Sequence, residues 1–388
     1  MRSRLTTLRI ALPLAGVLLG ACKTQPEIGE LAPSPVSSTL EAPPPKLRDA
    51  APVSSEALAF EKSVQAKKLS LPARRIHSPQ LAFGKGVLGQ LGADALRVYD
   101  AADFRLLASE PLEGPRALLA LADGSLLAIG AHHMLRWERD KKHAASLPRP
   151  VLLPGSQLYA DAQRPDRLWV FDAEGGVGDS HRPELLSYLL KPGPRDLPLP
   201  EQSIELRSPR GGVFGVTREG TWLYVTAGLA ERFSPGGLRL SGLTLSEPVS
   251  PTWLLPARRL DQSLWLDDSG RTSRAMVSPT YKLLTSVQLP GKTLDADVGD
   301  EGRLLAALVV TGEGPRFELL LLDPELGQLG RVVLPSDPPT GDDEWVKAVM
   351  ENQTLAVAGR QPRVAVGGPS RLTIFDGIGR LIFSIPSR

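Results

Sequence analysis

The feature that most constrains this chain is a repeat in which a polar turn precedes a short apolar strand. After residue 70 no helical period is sustained, whereas short apolar runs recur between Gly, Pro, Asp and Ser residues. The intervals between equivalent positions run from 39 to 53 residues, with a mean of about 44. These positions are Leu88, Leu127, Trp169, Trp222, Trp265, Leu305 and Leu355.

A second strand signal occurs at a fixed place in several units. It is an apolar run that ends in Asp, at residues 96–100, 319–323 and 372–376, and each run leads through a short turn into another strand. Repeats of roughly 40 to 50 residues with up to four strands are typical of propeller blades. The sequence therefore predicts an all-β fold, a single β-propeller with seven blades of four-stranded antiparallel sheets.

Several architectural alternatives stay open at this point. Six or eight blades, and a pair of two-sheet sandwiches, also fit short strands at this spacing. Two intervals exceed the mean by about ten residues, and we expect the additional residues in loops near 175–183 and 336–344. A strand from residues 76–83 could complete the ring, although the last unit contains its own outgoing strand up to Ile385.

The first 21 residues are organised like a secretory signal. Three arginines precede an apolar run at residues 10–19, and small residues follow that run. The run has about half of the roughly 20 residues that a membrane-spanning helix needs, which favours an export signal. The segment ends in Leu19-Gly20-Ala21-Cys22, and Cys22 is the only cysteine in the chain.

The Leu-Gly-Ala-Cys ending resembles the lipobox of bacterial lipoproteins. The resemblance implies cleavage between Ala21 and Cys22, acylation of Cys22, and anchoring in a lipid bilayer of the cell envelope. In that family an aspartate after the cysteine retains the protein at the inner membrane. Lys23 stands there instead, so the resemblance implies the outer membrane, with the periplasmic or surface-exposed face undecided. The alternative is an ordinary signal peptide with a chance cysteine.

Two segments connect the signal to the repeat domain. Residues 22–55 are rich in Pro, Ser, Ala and Glu, a composition that buries too little apolar surface to offset the entropy of ordering, which predicts a disordered linker. Residues 56–75 form a lead-in, in which apolar side chains at helical spacing predict a short helix at residues 56–69. The domain itself is predicted to span residues 76–388.

Over residues 76–388 the chain resembles proteins that carry WD40-like or YVTN-like β-propellers. The resemblance is architectural, because the blades lack the Gly-His and Trp-Asp pairs of WD40 repeats. The nearest match to Tyr-Val-Thr-Asn is Leu223-Tyr224-Val225-Thr226. The three repeat-position tryptophans, Trp169, Trp222 and Trp265, are predicted to pack between blades rather than to line a ligand cage.

Four residues are the candidate metal ligands of this chain. His132 and His133 point to opposite faces if they lie on a strand, but both can point to one rim if they lie in a turn. Asp295 and Asp297 belong to an acidic stretch that is predicted to be a loop before a strand, and hard cations such as calcium favour alternate carboxylates. The stretch does not fit EF-hand spacing, and exposed blade turns are the simpler interpretation of both groups.

The remaining composition limits the classes of function. Lys and Arg number 45 and Asp and Glu number 43, so no excess of basic residues indicates nucleic-acid binding. The chain has no Gly-x-Ser-x-Gly elbow and no Cys-His pair, and we predict no catalytic residue and no cofactor. The leading hypothesis is a membrane-anchored, extracytoplasmic scaffold or assembly factor that binds a protein or glycan. The alternative is a propeller hydrolase or lyase with a metal-assisted site at the central channel.

Replacing Cys22 by Ser is expected to move most of the protein from the membrane fraction to the soluble fraction. The substitution removes the thiol that the lipobox resemblance marks for acylation, and stable anchoring requires more than one buried acyl chain. Immunoblotting of the two fractions measures the change, with Thr24→Ser in the same segment as the control. Membrane association that persists in the Cys22→Ser protein would contradict the lipid anchor.

Overall fold

The structure of this chain is a computed structural model that describes residues 80–385 with gaps. The predicted signal, linker and lead-in at residues 1–75 lie outside the described residues, as does the candidate helix at 56–69. None of the described residues belongs to a helix long and apolar enough to cross a membrane. The gaps are residues 142–143, 151, 153–155, 162, 173–182, 192–197, 207–211, 218–219, 227, 246–248, 250, 268, 278–280, 300, 312–315, 335–353, 359–361 and 369–370.

The described residues form seven sheets, each of four consecutive antiparallel strands, which confirms the predicted seven-bladed β-propeller. Blades 1 to 4 consist of β1 (Leu81–Gly84), β2 (Val87–Leu91), β3 (Ala95–Asp100), β4 (Leu106–Pro111), β5 (Ala117–Ala120), β6 (Leu126–Ile129), β7 (His133–Trp137), β8 (Ala145–Pro148), β9 (Gln157–Ala160), β10 (Arg167–Asp172), β11 (Glu184–Leu189), β12 (Gln202–Glu205), β13 (Val213–Val216), β14 (Trp222–Thr226), β15 (Leu229–Phe233) and β16 (Arg239–Thr244). Blades 5 to 7 consist of β17 (Trp253–Pro256), β18 (Gln262–Leu266), β19 (Arg271–Met276), β20 (Leu283–Gln288), β21 (Lys292–Val298), β22 (Leu305–Thr311), β23 (Arg316–Leu322), β24 (Gln328–Val333), β25 (Thr354–Val357), β26 (Arg363–Gly367), β27 (Leu372–Asp376) and β28 (Leu381–Ile385).

The apolar cores lie between blades, because each blade buries both of its faces against its two neighbours. Strand β22 shows the principle: Leu305, Ala307 and Val309 belong to the cluster shared with blade 5. The alternating residues Ala306, Leu308 and Val310 belong to the cluster shared with blade 7. Successive side chains of a strand point to opposite faces, so a strand that is covered on both faces needs a continuous apolar run. The described residues form seven such clusters, one between each pair of neighbouring blades.

The structure corrects one of the seven repeat positions, because Leu355 is not equivalent to the other six. Six of them lie on the second strand of a blade, but Leu355 lies on β25, the first strand of blade 7. Strand β25 is buried along its whole length. Its sequence is therefore as apolar as that of the second strand of a blade. The true second strand of blade 7 is β26. Residues 175–182 and 336–344, where the additional residues of the two longer units are expected, lie outside the described residues.

The ring closes by contact between complete blades. Strand β1 begins blade 1 and blade 7 has four strands of its own, so no N-terminal strand is needed to complete the last blade. Blades 7 and 1 share an apolar cluster that includes Leu88, Tyr99 and Ile374. Next to this cluster, the Arg363 guanidinium donates a hydrogen bond to Ala101 O.

Gln90 makes the main polar contact of this closure. Its Nε2 donates hydrogen bonds to Gly368 O at 2.8 Å and to Arg371 O at 3.1 Å, both in blade 7. Its Oε1 accepts a hydrogen bond from Tyr99 Oη at 3.2 Å. Because Gln90 is only 2% exposed, water cannot replace these partners when the side chain is changed.

Replacing Gln90 by Leu is expected to lower the free energy of unfolding by about 2–4 kcal/mol, because two backbone carbonyls and a tyrosine hydroxyl lose their partner in a buried site. Urea denaturation measures this loss. Gln262→Leu is the matched control, since Gln262 is 3% exposed on the second strand of blade 5. In the described part of the chain its side chain makes no hydrogen bond to another blade. Equal losses in the two variants would contradict a special role of Gln90 in closure.

Candidate functional site

Asp295 and Asp297 lie within strand β21, and their predicted placement in a loop before a strand was wrong. Their neighbours Ala296 and Val298 pack into the core shared with blade 5. The alternation of the strand therefore turns both carboxylates toward blade 7. The alternate carboxylates of this sequence therefore lie on one face of an inner strand.

Both carboxylates join the first strands of blades 6 and 7. Asp295 Oδ2 accepts a hydrogen bond from the backbone N–H of Leu355, and Asp297 Oδ2 accepts one from the backbone N–H of Val357, each at 2.8 Å. Their Oδ1 atoms accept from the N–H groups of Ala296 and Val298. Amide hydrogens repel a cation, so this arrangement uses the carboxylates as a contact between blades.

The environment of Asp297 changes its acidity. Burial raises the pKa of its carboxyl from 3.8 to about 6, and the hydrogen bonds from Val357 and Val298 lower it by less than burial raises it. Hydrogen bonds to a carboxylate favour the charged form, whereas removal from water disfavours it. Burial therefore has the larger effect here.

The structure separates the two histidines from the two aspartates. His132 and His133 lie at the β6–β7 turn and the start of β7 in blade 2, whereas Asp295 and Asp297 lie in blade 6. His132 Nε2 is 3.8 Å from Glu113 Oε1, and both side chains are well exposed. Within the described ranges, no group of three or more His, Cys, Asp or Glu side chains is arranged to hold a metal ion. Cys22 lies outside those ranges.

The tryptophans of the repeat are buried between blades, as predicted. Trp169 and Trp222 belong to an aromatic cluster between blades 3 and 4, with ring centroids 5.4 Å apart. Trp169 Nε1 donates a hydrogen bond to Asp161 Oδ2 at 2.8 Å. Trp265 packs between blades 4 and 5. These rings stabilise the blade interfaces and present no cage to a ligand.

A groove of about 600 Å³ lies between blades 6 and 7. It is formed where the β21–β22 and β25–β26 connections, strand β24 and the β27–β28 hairpin meet. Three of its aliphatic side chains are far from buried: Leu329 is 46% exposed, Ile378 is 52% exposed and Ile382 is 44% exposed. Its lining residues are Gly299, Glu301, Arg303, Leu304, Leu329, Ala358, Pro362, Arg363, Asp376, Gly377, Ile378 and Ile382.

Close packing of the outer strands shapes this groove. A Cβ atom at Gly330 in β24 would lie 2.5 Å from Ile378 O, so only glycine allows the β27–β28 turn of blade 7 to rest on blade 6. Asp376 Oδ1 stabilises that turn by accepting hydrogen bonds from the backbone N–H groups of Ile378 and Arg380. The exposed side of Ile378 therefore stays at the groove instead of entering a core.

The charged groups of the groove have protein partners. Arg303 Nε is 2.7 Å from Glu301 Oε2. The Arg363 guanidinium donates a hydrogen bond to Ala101 O and lies 5.3 Å from the centroid of the Phe104 ring. The groove therefore presents mainly aliphatic surface with a rim of paired charges. Sequence reasoning missed this site, although consecutive apolar residues at 381–383 on an outer edge strand were a signal for it.

Comparison with known proteins finds two solved structures that are similar to this chain. The crystal structure of Sqt1 from Saccharomyces cerevisiae is 10% identical and covers 79% of this chain and 85% of its own, with a TM-score of 0.49. KlHsv2, with loop 6CD replaced by a Gly-Ser linker, is 10% identical and covers 80% of this chain and 100% of its own, with a TM-score of 0.50. No protein-family model and no curated protein sequence matches the chain.

These features define the class of protein. Seven four-stranded blades in a ring make this chain a seven-bladed β-propeller, and its fold is similar to that of KlHsv2. The similarity concerns the fold, and at 10% identity it carries no information about residues of the site. The function has to be argued from the groove and from the sequence.

Asp297→Asn is expected to change how the free energy of unfolding depends on pH. Because the folded-state pKa of about 6 lies above the ordinary value of 3.8, the stabilisation that this carboxyl contributes is complete below about pH 4 and is lost as the pH rises through 6. The free energy of unfolding of the wild type, minus that of the variant, should fall by on the order of 2–3 kcal/mol between pH 4 and pH 7.

Urea denaturation across that pH range measures the difference. The variant keeps the shape of the side chain and has no ionisable group at this position, so the pH dependence of the difference comes from the wild-type carboxyl. Asp103→Asn, which changes an exposed carboxylate in the β3–β4 turn, serves as the control for the loss of one acidic group. A difference between wild type and Asp297→Asn that stays constant with pH would contradict the burial of this charge.

Proposed function

We propose that this protein is a lipid-anchored scaffold or assembly factor of the cell envelope, whose propeller binds an apolar segment of a partner protein. The observation that carries the proposal is the groove between blades 6 and 7, with half-exposed Leu329, Ile378 and Ile382 along it. Contiguous apolar surface in a concave site marks interaction sites on soluble domains. The propeller fold is consistent with a scaffold role.

The envelope location is supported by the sequence alone. The signal-like residues 1–21 and the Leu-Gly-Ala-Cys ending would place the acylated Cys22 in a bilayer, and Lys23 favours the outer membrane by resemblance. The Pro-rich linker of residues 22–55 has an average span on the order of 30 Å as a coil, so the propeller could engage partners away from the lipid surface.

The chemistry of the groove favours binding over catalysis. Glu301 and Arg303 form a salt bridge with each other, and Asp376 accepts hydrogen bonds from backbone N–H groups. The ionisable side chains among the described lining residues are thus held by protein partners, whereas general acid–base catalysis needs a group placed to exchange a proton with the substrate. The hydrolase or lyase alternative would need converging ligands or acids at the central channel.

The lining also favours a protein partner over a glycan. Most of the surface around the open volume belongs to apolar groups, and sugar hydroxyls placed against them would lose hydrogen bonds to water without replacement. An aliphatic or aromatic side chain gains about 25 cal/mol for each Å² of apolar surface that is removed from water. A short apolar segment with two or three such side chains fits a groove of about 600 Å³.

A photo-crosslinking residue at Ile378 is expected to give a discrete adduct with one envelope protein in cells. The same residue at Leu240 is the matched control, because Leu240 is 48% exposed at the second position of the outer strand β16. Leu329 occupies the same position of β24. Mass spectrometry of the adduct identifies the partner.

Purified partner then tests the groove quantitatively. Leu329→Asp should weaken binding by at least about tenfold, because it places a charge on apolar contact surface. Leu240→Asp should leave the affinity within about twofold, since the structure places Leu240 in blade 4. Calorimetric titration measures both variants, and thermal denaturation verifies that both fold. Equal effects of the two substitutions, or no adduct at Ile378, would contradict the groove as the binding site.

A further inference from the structure

The turns that join the third and fourth strands of blades 6 and 7 have the same backbone hydrogen bonds. Asp323 Oδ1 in blade 6 accepts hydrogen bonds from the backbone N–H groups two and four residues further on, and Asp376 Oδ1 does the same in blade 7. The N–H of Leu326 donates to Asp323 O at 3.0 Å, and the N–H of Gly379 donates to Asp376 O at 3.1 Å. Leu326 and Gly379 therefore occupy the same place in equivalent turns.

Leu326 fills a gap between blades 5 and 6. Its φ of 68° lies in the left-handed region, which costs free energy for a residue with a Cβ atom. Its side chain is 6% exposed and belongs to the apolar cluster that the two blades share, so burial offsets this cost. Phe104 and Tyr281 occupy the same turn position in blades 1 and 5, with φ values of 59° and 50°, and both are buried against a neighbouring blade. We call Leu326, Phe104 and Tyr281 the interface plugs.

Blade 7 has no interface plug, because its turn carries Gly379 at this position, with a φ of 91°. The groove lies where such a side chain would pack. Phe104 of blade 1 lies against Arg363 of blade 7, with 5.3 Å between the guanidinium carbon and the ring centroid. Leu304 has the place in blade 6 that Arg363 has in blade 7, since each carbonyl accepts a hydrogen bond from the N–H of the residue five positions earlier. A plug in blade 7 would therefore lie against Leu304, which lines the groove.

The outer strand of blade 6 is compatible with a side chain at this position. A Cβ atom at Gly379 would lie 2.5 Å from Val332 Cγ2. Val287 occupies the same place in blade 5, as the fifth residue of the outer strand, and it packs against the cluster that contains the interface plug of blade 6. A valine at this place thus tolerates a plug beside it. In blade 4, by contrast, the corresponding Gly237 lies against Ile204 of blade 3, which already fills the place.

We propose that the partner protein inserts one leucine side chain into the groove, where it takes the place that Leu326 takes between blades 5 and 6. This inference rests on the proposed function and specifies the residue type by which the partner is held. The inserted side chain would extend the apolar cluster between blades 6 and 7, because Leu304 belongs to that cluster and Val332 packs against it. It would also cover part of the apolar surface of the half-exposed Ile378 and Ile382.

A cyclic peptide with the sequence of residues 323–327, closed by a glycine linker, is the probe for this site. Methyl NMR of the full chain in neutral detergent, with labelled isoleucines, follows Ile378 and Ile382 during the titration. We expect saturable shifts at both residues, and an affinity at least about tenfold lower for the peptide with alanine in place of Leu326. No saturable binding, or equal affinities of the two peptides, would overturn the proposal.

Gly379→Leu gives blade 7 its own plug, and Gly379→Ala is the matched control. Both variants place a Cβ atom in the left-handed turn and against Val332, so they differ only in the side chain that can enter the groove. Gly379→Leu should unfold at a higher temperature than Gly379→Ala, because it fills the groove with apolar atoms. It should also bind the leucine peptide at least about tenfold more weakly, whereas Gly379→Ala should stay within about threefold of the wild type. The reverse order of unfolding temperatures, or unchanged peptide binding by Gly379→Leu, is the result that refutes a leucine site.

The outcomes separate this inference from the proposed function. An adduct at Ile378 in cells, without binding of the leucine peptide, would support a partner at the groove and overturn the leucine anchor. Binding of the leucine peptide without an adduct in cells would support the anchor site and contradict the envelope partner. The two proposals therefore fail independently.

Discussion

The structure depends on the burial of each blade on both of its faces. A four-stranded sheet has no core of its own, and the apolar clusters of this chain lie between neighbouring blades. A blade is therefore stable only with both neighbours in place, and the ring has to close. An apolar cluster and the hydrogen bonds of Gln90 join blade 7 to blade 1. These contacts close the ring without an internal disulfide, which a chain with one cysteine cannot form.

The same constraint decides where polar groups and ligand surfaces are found. Polar side chains on inner strands are used between blades: Asp295 and Asp297 bond the backbone of β25, and Tyr159 Oη bonds Phe214 O at 2.7 Å. Outer strands have a neighbour on one edge only, so their aliphatic side chains stay half-exposed. Grooves between blades and turns at blade ends are then the surfaces that remain for partners.

Sequence reasoning succeeded where one physical requirement dominates a segment. A second strand covered on both faces must be apolar throughout, which is why Trp169, Trp222 and Trp265 marked their blades correctly. Sequence reasoning failed where two different places in a blade can be occupied by the same residue types. The inner strand β25 is as buried as a second strand, so Leu355 was misassigned, and the carboxylates of β21 had the pattern of a loop.

The sequence by itself determined the repeat and the all-β class, and it favoured seven blades over six or eight, because strand length and burial are local requirements that recur with each blade. The prediction of a signal and of lipidation at Cys22 also rests on the sequence alone. Only the tertiary structure decided which strand begins each blade, how the ring closes, and what Asp297 and Ile378 contact. Those contacts join residues that are distant in sequence, such as Gln90 and Gly368, and no local pattern records which blades meet.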